Sequence, residues 1–252
     1  MSTWPRIAAW ATAGFLGAQV AGSGAMAGQI NVVSTAGPMP VVMGALIPIF
    51  EQASGNKVTI KFQGVPQIFA RLKEAPPIDL VIADEDVIGD LAKSGVIAAS
   101  SRIMLSRVGI AVRAGAPKPD VGSADALKAA LTAAKSVAYS QGASGRHFVS
   151  VISRLGLIYE MRPKSVIVQG KPVGAAVAAG EAEIGVQQVA ELLPVPGIDI
   201  IGPLPGDLQK TIVYVAGVPA NARDPGAAKS LVKFLTSEAA MTVLKQKGMD
   251  PG

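Results

Sequence analysis

The sequence predicts an α/β protein of two lobes. Short apolar runs of strand character alternate with stretches of helical period along the chain beyond residue 27, which calls for parallel strands covered by helices. The strand segments number about ten, more than one small sheet holds, and one of them, Ile103–Arg113, is long and lies mid-chain. Of the 252 residues, 50% are apolar and 16% charged, which excludes disorder and allows a sizeable core. Aromatic residues make up only 4%, so that core must be built from Ala, Val, Ile and Leu.

The elements follow in order. Ile30–Ser34 reads as a buried strand, and Thr35-Ala36-Gly37-Pro38 as a turn into a helix carrying Val42, Leu46, Ile49 and Phe50. Gly55 closes that helix. Val58–Phe62 is a strand, and Gly64-Val65-Pro66 leads into a helix holding Ile68, Phe69 and Leu72. Asp79–Ala83 is a buried strand, after which Asp84-Glu85-Asp86 opens a helix ending at Gly95; acids in a first turn suit the helix dipole, so no metal is invoked there. After Ile103–Arg113, Ser123 caps a helix, Ser136–Tyr139 is a strand, and the loop Ser140–Gly145 opens a helix through Phe148, Val151, Ile152 and Leu155. Val166–Val168 is a strand, Val173–Ala179 a helix and Ile184–Val186 a strand. Ile198–Ile201 and Thr211–Val218 are further strands, and two helices, from Asp224-Pro225 to Leu235 and from Ser237 to Lys247, end the chain before Gly248.

Residues 1–27 have the pattern of a cleavable export signal: a basic start at Arg6, no charge from Ile7 to Gly24, and a small-x-small exit at Ala25-Met26-Ala27. Without cysteine there is no lipobox, disulfide, thiolate metal site or thiol nucleophile. The single histidine, His147, excludes sites that need two imidazoles. A net charge of +5, spread rather than clustered, leaves no footprint for nucleic acid, and neither metal nor cofactor is expected.

In open α/β sheets the ligand lies beyond the carboxyl ends of the strands. Three strand-to-helix turns are rich in small residues there: Thr35-Ala36-Gly37, Gly64-Val65-Pro66 with Gln67 just inside the helix, and Gly142 through Ala143, Ser144 and Gly145. Small side chains let a ligand approach the backbone N–H groups at helix starts, where the dipole favours anions. Each turn taken alone is equally a simple tight turn. Arg146, behind the glycine loop, has the chemistry for bidentate pairing with a carboxylate or oxyanion, or else faces water. The Walker pattern fails, since Arg146-His147 stands where Lys-Ser/Thr is required. Gln187 and Gln188, at a strand end, either donate to a ligand or cap the next helix. His147 reads as a packing or hydrogen-bonding residue more readily than as a base, because no acid or nucleophile accompanies it locally.

Several phrases resemble the periplasmic solute-binding proteins of ABC importers, specifically the molybdate-binding-protein-like group. They are Asn31–Ala36, Phe50 through Gly55 to Val58, Pro77–Asp84, Gly142–Arg146, Gly180–Gly185 and the tail from Ala227 to Gly248. The resemblance implies a two-lobed, hinge-closing type II fold with a mixed sheet in each lobe. Lobe one would be 28–105 plus 217–252 and lobe two 106–216, with a small anion in the cleft between them. It implies a periplasmic monomer that delivers its ligand to an ABC permease of the inner membrane. The group places serines in the first two loops and a tyrosine after the glycine-containing strand, where this chain has Gly37, Val65-Pro66 and Gln188. Each missing hydrogen bond to a charged group is worth roughly 1.5–3 kcal/mol, which disfavours a tetrahedral metal oxyanion and favours an organic carboxylate. The stretch Gln187–Gly197 marks a divergent branch that is also similar to aconitate isomerase, a periplasmic enzyme on this scaffold. A tricarboxylate would draw on Arg71, Arg146 and Lys171. Interconverting cis- and trans-aconitate by allylic proton transfer would need a base, for which His147 and Glu191 are the candidates.

Overall fold

The computed structural model describes Met1 and residues 28–74 and 77–252; the rest of the expected export signal, 2–27, lies outside the described residues. The chain begins β1 (Gln29–Thr35), α1 (Met39–Ser54), β2 (Lys57–Gln63), α2 (Val65–Arg71), β3 (Leu80–Asp84), α3 (Glu85–Lys93), β4 (Ile97–Ser106). It continues β5 (Val108–Arg113), α4 (Ala124–Ala133), β6 (Val137–Ser140), α5 (Ala143–Arg154), α6 (Ile158–Met161), β7 (Ser165–Val168), α7 (Val173–Ala178), β8 (Ile184–Gln188), α8 (Val189–Leu192), β9 (Ile198–Pro203). It returns through β10 (Ile212–Pro219), α9 (Pro225–Leu235), α10 (Glu238–Gln246) and β11 (Met249–Pro251).

The strands form a six-stranded sheet, β11-β4-β10-β3-β1-β2, and a five-stranded one, β7-β6-β8-β5-β9. Strand–helix alternation produces the parallel neighbours β3-β1-β2 and β7-β6-β8. The strands that join the lobes, β4, β5 and β10, pair antiparallel, so both sheets are mixed. The single long strand expected over Ile103–Arg113 is two strands in different sheets, parted at Arg107. Its apolar pattern runs on across the break, and no glycine or proline marks it. The chain therefore changes sheet between Ser106 and Val108 and again between Pro203 and Ile212. A return to lobe one at residue 217 would run through β10; with the change of sheet as the criterion, the division we propose is 28–106 with 212–252, and 107–211.

The two crossings are tied together by one side chain. Gln209 accepts from the Val108 N–H at 3.1 Å and donates to the Val108 carbonyl at 2.9 Å, as a paired strand residue would. Within lobe one, the fully buried Asp79 accepts from the backbone N–H groups of Asn31, Arg223 and Asp224 at 2.8–3.1 Å, binding β1 to the entry of α9. Helix α1 buries Met39, Val42, Met43, Leu46 and Phe50, a 3.6-residue stripe facing the core.

Candidate functional site

Six strands end on one cleft of about 580 Å³ between the lobes: β1 at Thr35, β2 at Gln63, β3 at Asp84, β6 at Ser140, β7 at Val168 and β8 at Gln188. The three small-residue turns converge there, bringing Thr35, Ala36 and Gly37, Gly64 and Val65, and Ala143 and Ser144 to its walls with Arg146, Lys171, Gln187, Gln188 and Glu191. Gly37 has φ +51°, a left-handed turn conformation that favours glycine.

The helices differ in how their first turns are capped. The residues before α3, α4, α9 and α10, namely Asp84, Ser123, Asp224 and Ser237, each accept a first-turn backbone N–H through the side chain. Helices α1, α2 and α5 start behind Pro38, Gly64 and Gly142, which offer no side-chain cap. The first-turn N–H groups of α2 and α5 are left for something else to satisfy, whereas in α1 Met39 donates to the Ala36 carbonyl at 3.1 Å and Pro40 has no N–H.

Glu191 lies in the cleft wall, and its surroundings set its chemistry. Gln187 Oε1 accepts the Val173 N–H at 2.8 Å, which turns Nε2 toward Glu191 Oε1 at 2.7 Å. Burial pushes the Glu191 carboxyl up to about 7, while hydrogen bonds from Gln187 and Gln188 oppose the rise. Tyr214, from β10 of the other sheet, donates to Gln188 Oε1 at 3.1 Å. Burial lifts the tyrosine hydroxyl well above the usual phenol range; the Gln188 hydrogen bond and Arg146 oppose this, and the charges of Glu191 and Asp84 add to it.

The other expected residues stand apart. Gln67, Arg71, Gly145 and His147 are not among the residues lining the cleft. The Gln67 carboxamide folds back over Gly64, where a Cβ would lie 2.6 Å from its Oε1. Arg71 pairs with Glu74 at 3.7 Å. Gly145 is buried against the end of β6, with Ser140 O only 1.6 Å from where a Cβ would be. His147 holds the Leu208 carbonyl through Nε2 at 2.7 Å; since a carbonyl only accepts, Nε2 carries the proton. Its ring lines a neighbouring cavity of about 270 Å³. Of the three expected cations, Lys171 lines the cleft but is held by Glu181 at 2.6 Å, and Arg146 has no carboxylate partner among the described residues.

Sequence reasoning missed Tyr214, Gln63, Asp84 and Ser140 as cleft residues. The last three are polar residues that close apolar strands, a signal that was readable. Tyr214 sits in mid-strand beside Asp84, and its place at the cleft follows from an antiparallel pairing that no local pattern announces.

A family profile for bacterial extracellular solute-binding proteins matches residues 30–250. The chain belongs to this family. It is 36% identical over 230 residues to an aconitate isomerase from a Pseudomonas species, covering 88% of this chain and 87% of the relative. It is 27% identical over 244 residues to the molybdate-binding protein ModA of Azotobacter vinelandii, covering 92% and 94%. The solved periplasmic molybdate-binding protein of Azotobacter vinelandii superposes with a TM-score of 0.71 at 18% identity, over 88% of this chain and 99% of that one. The fold is therefore the two-lobed type II binding-protein fold, with the ligand cleft between its mixed sheets.

Proposed function

We propose that the protein captures a small organic carboxylate in the interlobe cleft, closes over it by a hinge motion, and delivers it as a monomer in the periplasm to an ABC permease. The observation that carries this reading is the convergence of the uncapped starts of α2 and α5 and the turn Thr35-Ala36-Gly37 with Arg146 on one cleft. A carboxylate is favoured over a metal oxyanion because the second loop, Gly64-Val65-Pro66, brings no hydroxyl to the cleft and the first brings only that of Thr35. The relative at 36% identity, named for a tricarboxylate substrate, supports the same ligand class. The test is a thermal-shift panel with molybdate, tungstate, sulfate, citrate and the two aconitates, since a selective ligand stabilises the folded state by mass action. Stabilisation by carboxylates is expected; a response to molybdate or tungstate alone overturns the ligand assignment. Arg146→Ala is expected to weaken binding at least about tenfold, or about 1.4 kcal/mol, by calorimetry.

A second reading is favoured by one observation, the carboxyl group of Glu191 in the cleft wall with its pKa near 7. In an aconitate isomerase, this group would take a proton from the methylene carbon of the substrate and return it to the far allylic carbon as the double bond moves across. Such an enzyme interconverts cis- and trans-aconitate, followed by ultraviolet absorbance. Loss of turnover in Glu191→Gln but not in His147→Ala supports this reading, and turnover that survives Glu191→Gln rules out this base.

A further inference from the structure

We propose that the cleft takes up its carboxylate ligand together with one proton, which Glu191 carries on Oε2. This rests on the carboxylate reading above and deepens it by adding the proton as a second ligand. The orientation of the group is fixed by its neighbours. The Val173 N–H occupies Gln187 Oε1, so the Gln187 amide has only its N–H side to offer, and Glu191 Oε1 accepts it at 2.7 Å. Gln188 also donates to this carboxyl, which opposes protonation without blocking it, since each carboxyl oxygen has two lone pairs and Oε2 keeps one to carry the proton. Oε2 is the oxygen on the Gly37 side, 4.0 Å from where a Cβ on Gly37 would stand. Gly37 and Glu191 both line the cleft, so the proton on Oε2 belongs to a group in the ligand's wall.

The charges around Glu191 favour the protonated form once an anion enters. From β10, Tyr214 presents a neutral hydroxyl committed to Gln188; from β3 comes Asp84, and from α5 Arg146. Lys171, before α7, is neutralised by Glu181. Behind α8, the cavity by β9 and β11 holds Arg107, Asp250 and Lys245, with Arg107 and Asp250 paired; Asp199 on β9 is paired with Lys118. Of the ionisable side chains of α1 and α7, which pack on α8, there is only Glu51 at the far end of α1, held by Lys57 and the Val58 N–H. An incoming carboxylate beside an ionised Glu191 would repel it, whereas beside the acid it accepts a hydrogen bond from it. The group already titrates near neutrality without ligand, so a modest further rise fills it with a proton. The same acid gives the site a reason to discriminate: a ligand with no acceptor at that point gains nothing from the proton.

The experiment is calorimetric titration of the mature protein with citrate and with cis- and trans-aconitate at pH 8, in buffers of differing ionisation enthalpy. The expected result is uptake of between about one half and one proton per ligand at pH 8, with affinity there falling about three- to tenfold per pH unit and levelling off once the acid of the complex is itself titrated. In Glu191→Gln, the change in affinity between pH 7 and 9 is expected to shrink below about threefold. Carbon-13 NMR of the side-chain carboxyls, assigned with that variant, should show the Glu191 signal moving to its protonated position when ligand binds. Carboxylate binding without proton uptake overturns the inference and leaves the ligand reading intact. Failure of all three carboxylates to bind overturns both.

Discussion

Glu191 matters for stability as well as for binding. Its carboxyl keeps a proton up to about pH 7 in the folded protein, whereas the unfolded chain releases it near 4.5. Folding therefore binds a proton in that window, and stability falls as pH rises from about 4.5 to about 7, levelling off above. The loss amounts to about 3 kcal/mol at pH 8. Glu191→Gln is expected to be the more stable protein at pH 8 in urea unfolding, with the gap closing toward pH 4.5. A gap that does not depend on pH would show that burial of Glu191 is not the source. At this scale the sequence is half legible. Gln187, Gln188 and Glu191 stand out as polar residues after an apolar strand, and Arg146 stands out behind its glycine loop. That Gln187 serves Val173 and Glu191 at once depends on where α7 packs, which spacing along the chain does not encode.

Among the elements, the helices divide by whether the residue before them caps the first turn. The sequence marks the capped ones clearly: Asp84, Ser123, Asp224 and Ser237 each stand at the expected start of a helix. It marks the open ones by what is missing, with Pro38, Gly64 and Gly142 at positions where a cap is usual. Placing a cap on α5 should then separate folding from binding. Gly142 has an extended backbone, φ −72° and ψ −169°, that any residue adopts. Gly142→Asp is expected to stabilise the unliganded protein by about 0.5–1 kcal/mol in thermal melts, because its carboxylate satisfies first-turn donors. It should weaken anion binding at least tenfold, about 1.4 kcal/mol, by putting a negative charge where the ligand's would lie. A variant that binds as well as the parent would remove α5 from the site. Reading Ile103–Arg113 as one strand fails for a physical reason at this scale: strand propensity continues through Arg107, and only the pairing partners change.

The architecture of the whole molecule was legible from alternation and strand count, because helices on both sides of parallel strands leave few other solutions. The cleft was not, since convergence of three loops from distant parts of the chain is a property of the assembled sheets. The proposed hinge closure would turn about the two crossings, which Gln209 and Val108 hold side by side. Scattering from the protein in solution should show a smaller radius of gyration with a bound carboxylate than without it.

Those crossings also make the second lobe one unbroken stretch placed inside the first. The strand β10, between β3 and β4 in the larger sheet, comes from beyond that stretch, as does the edge strand β11. A chain emerging amino-end first therefore completes every strand of the smaller sheet while β3 still lacks its neighbour on the β4 side. Pairings so far apart along the chain form slowly. During refolding, amide protons of β6 and β8 should gain protection before those of β3 and β4. A chain that emerges amino-end first, from a ribosome or a membrane pore, therefore keeps the larger lobe open until its last residues arrive.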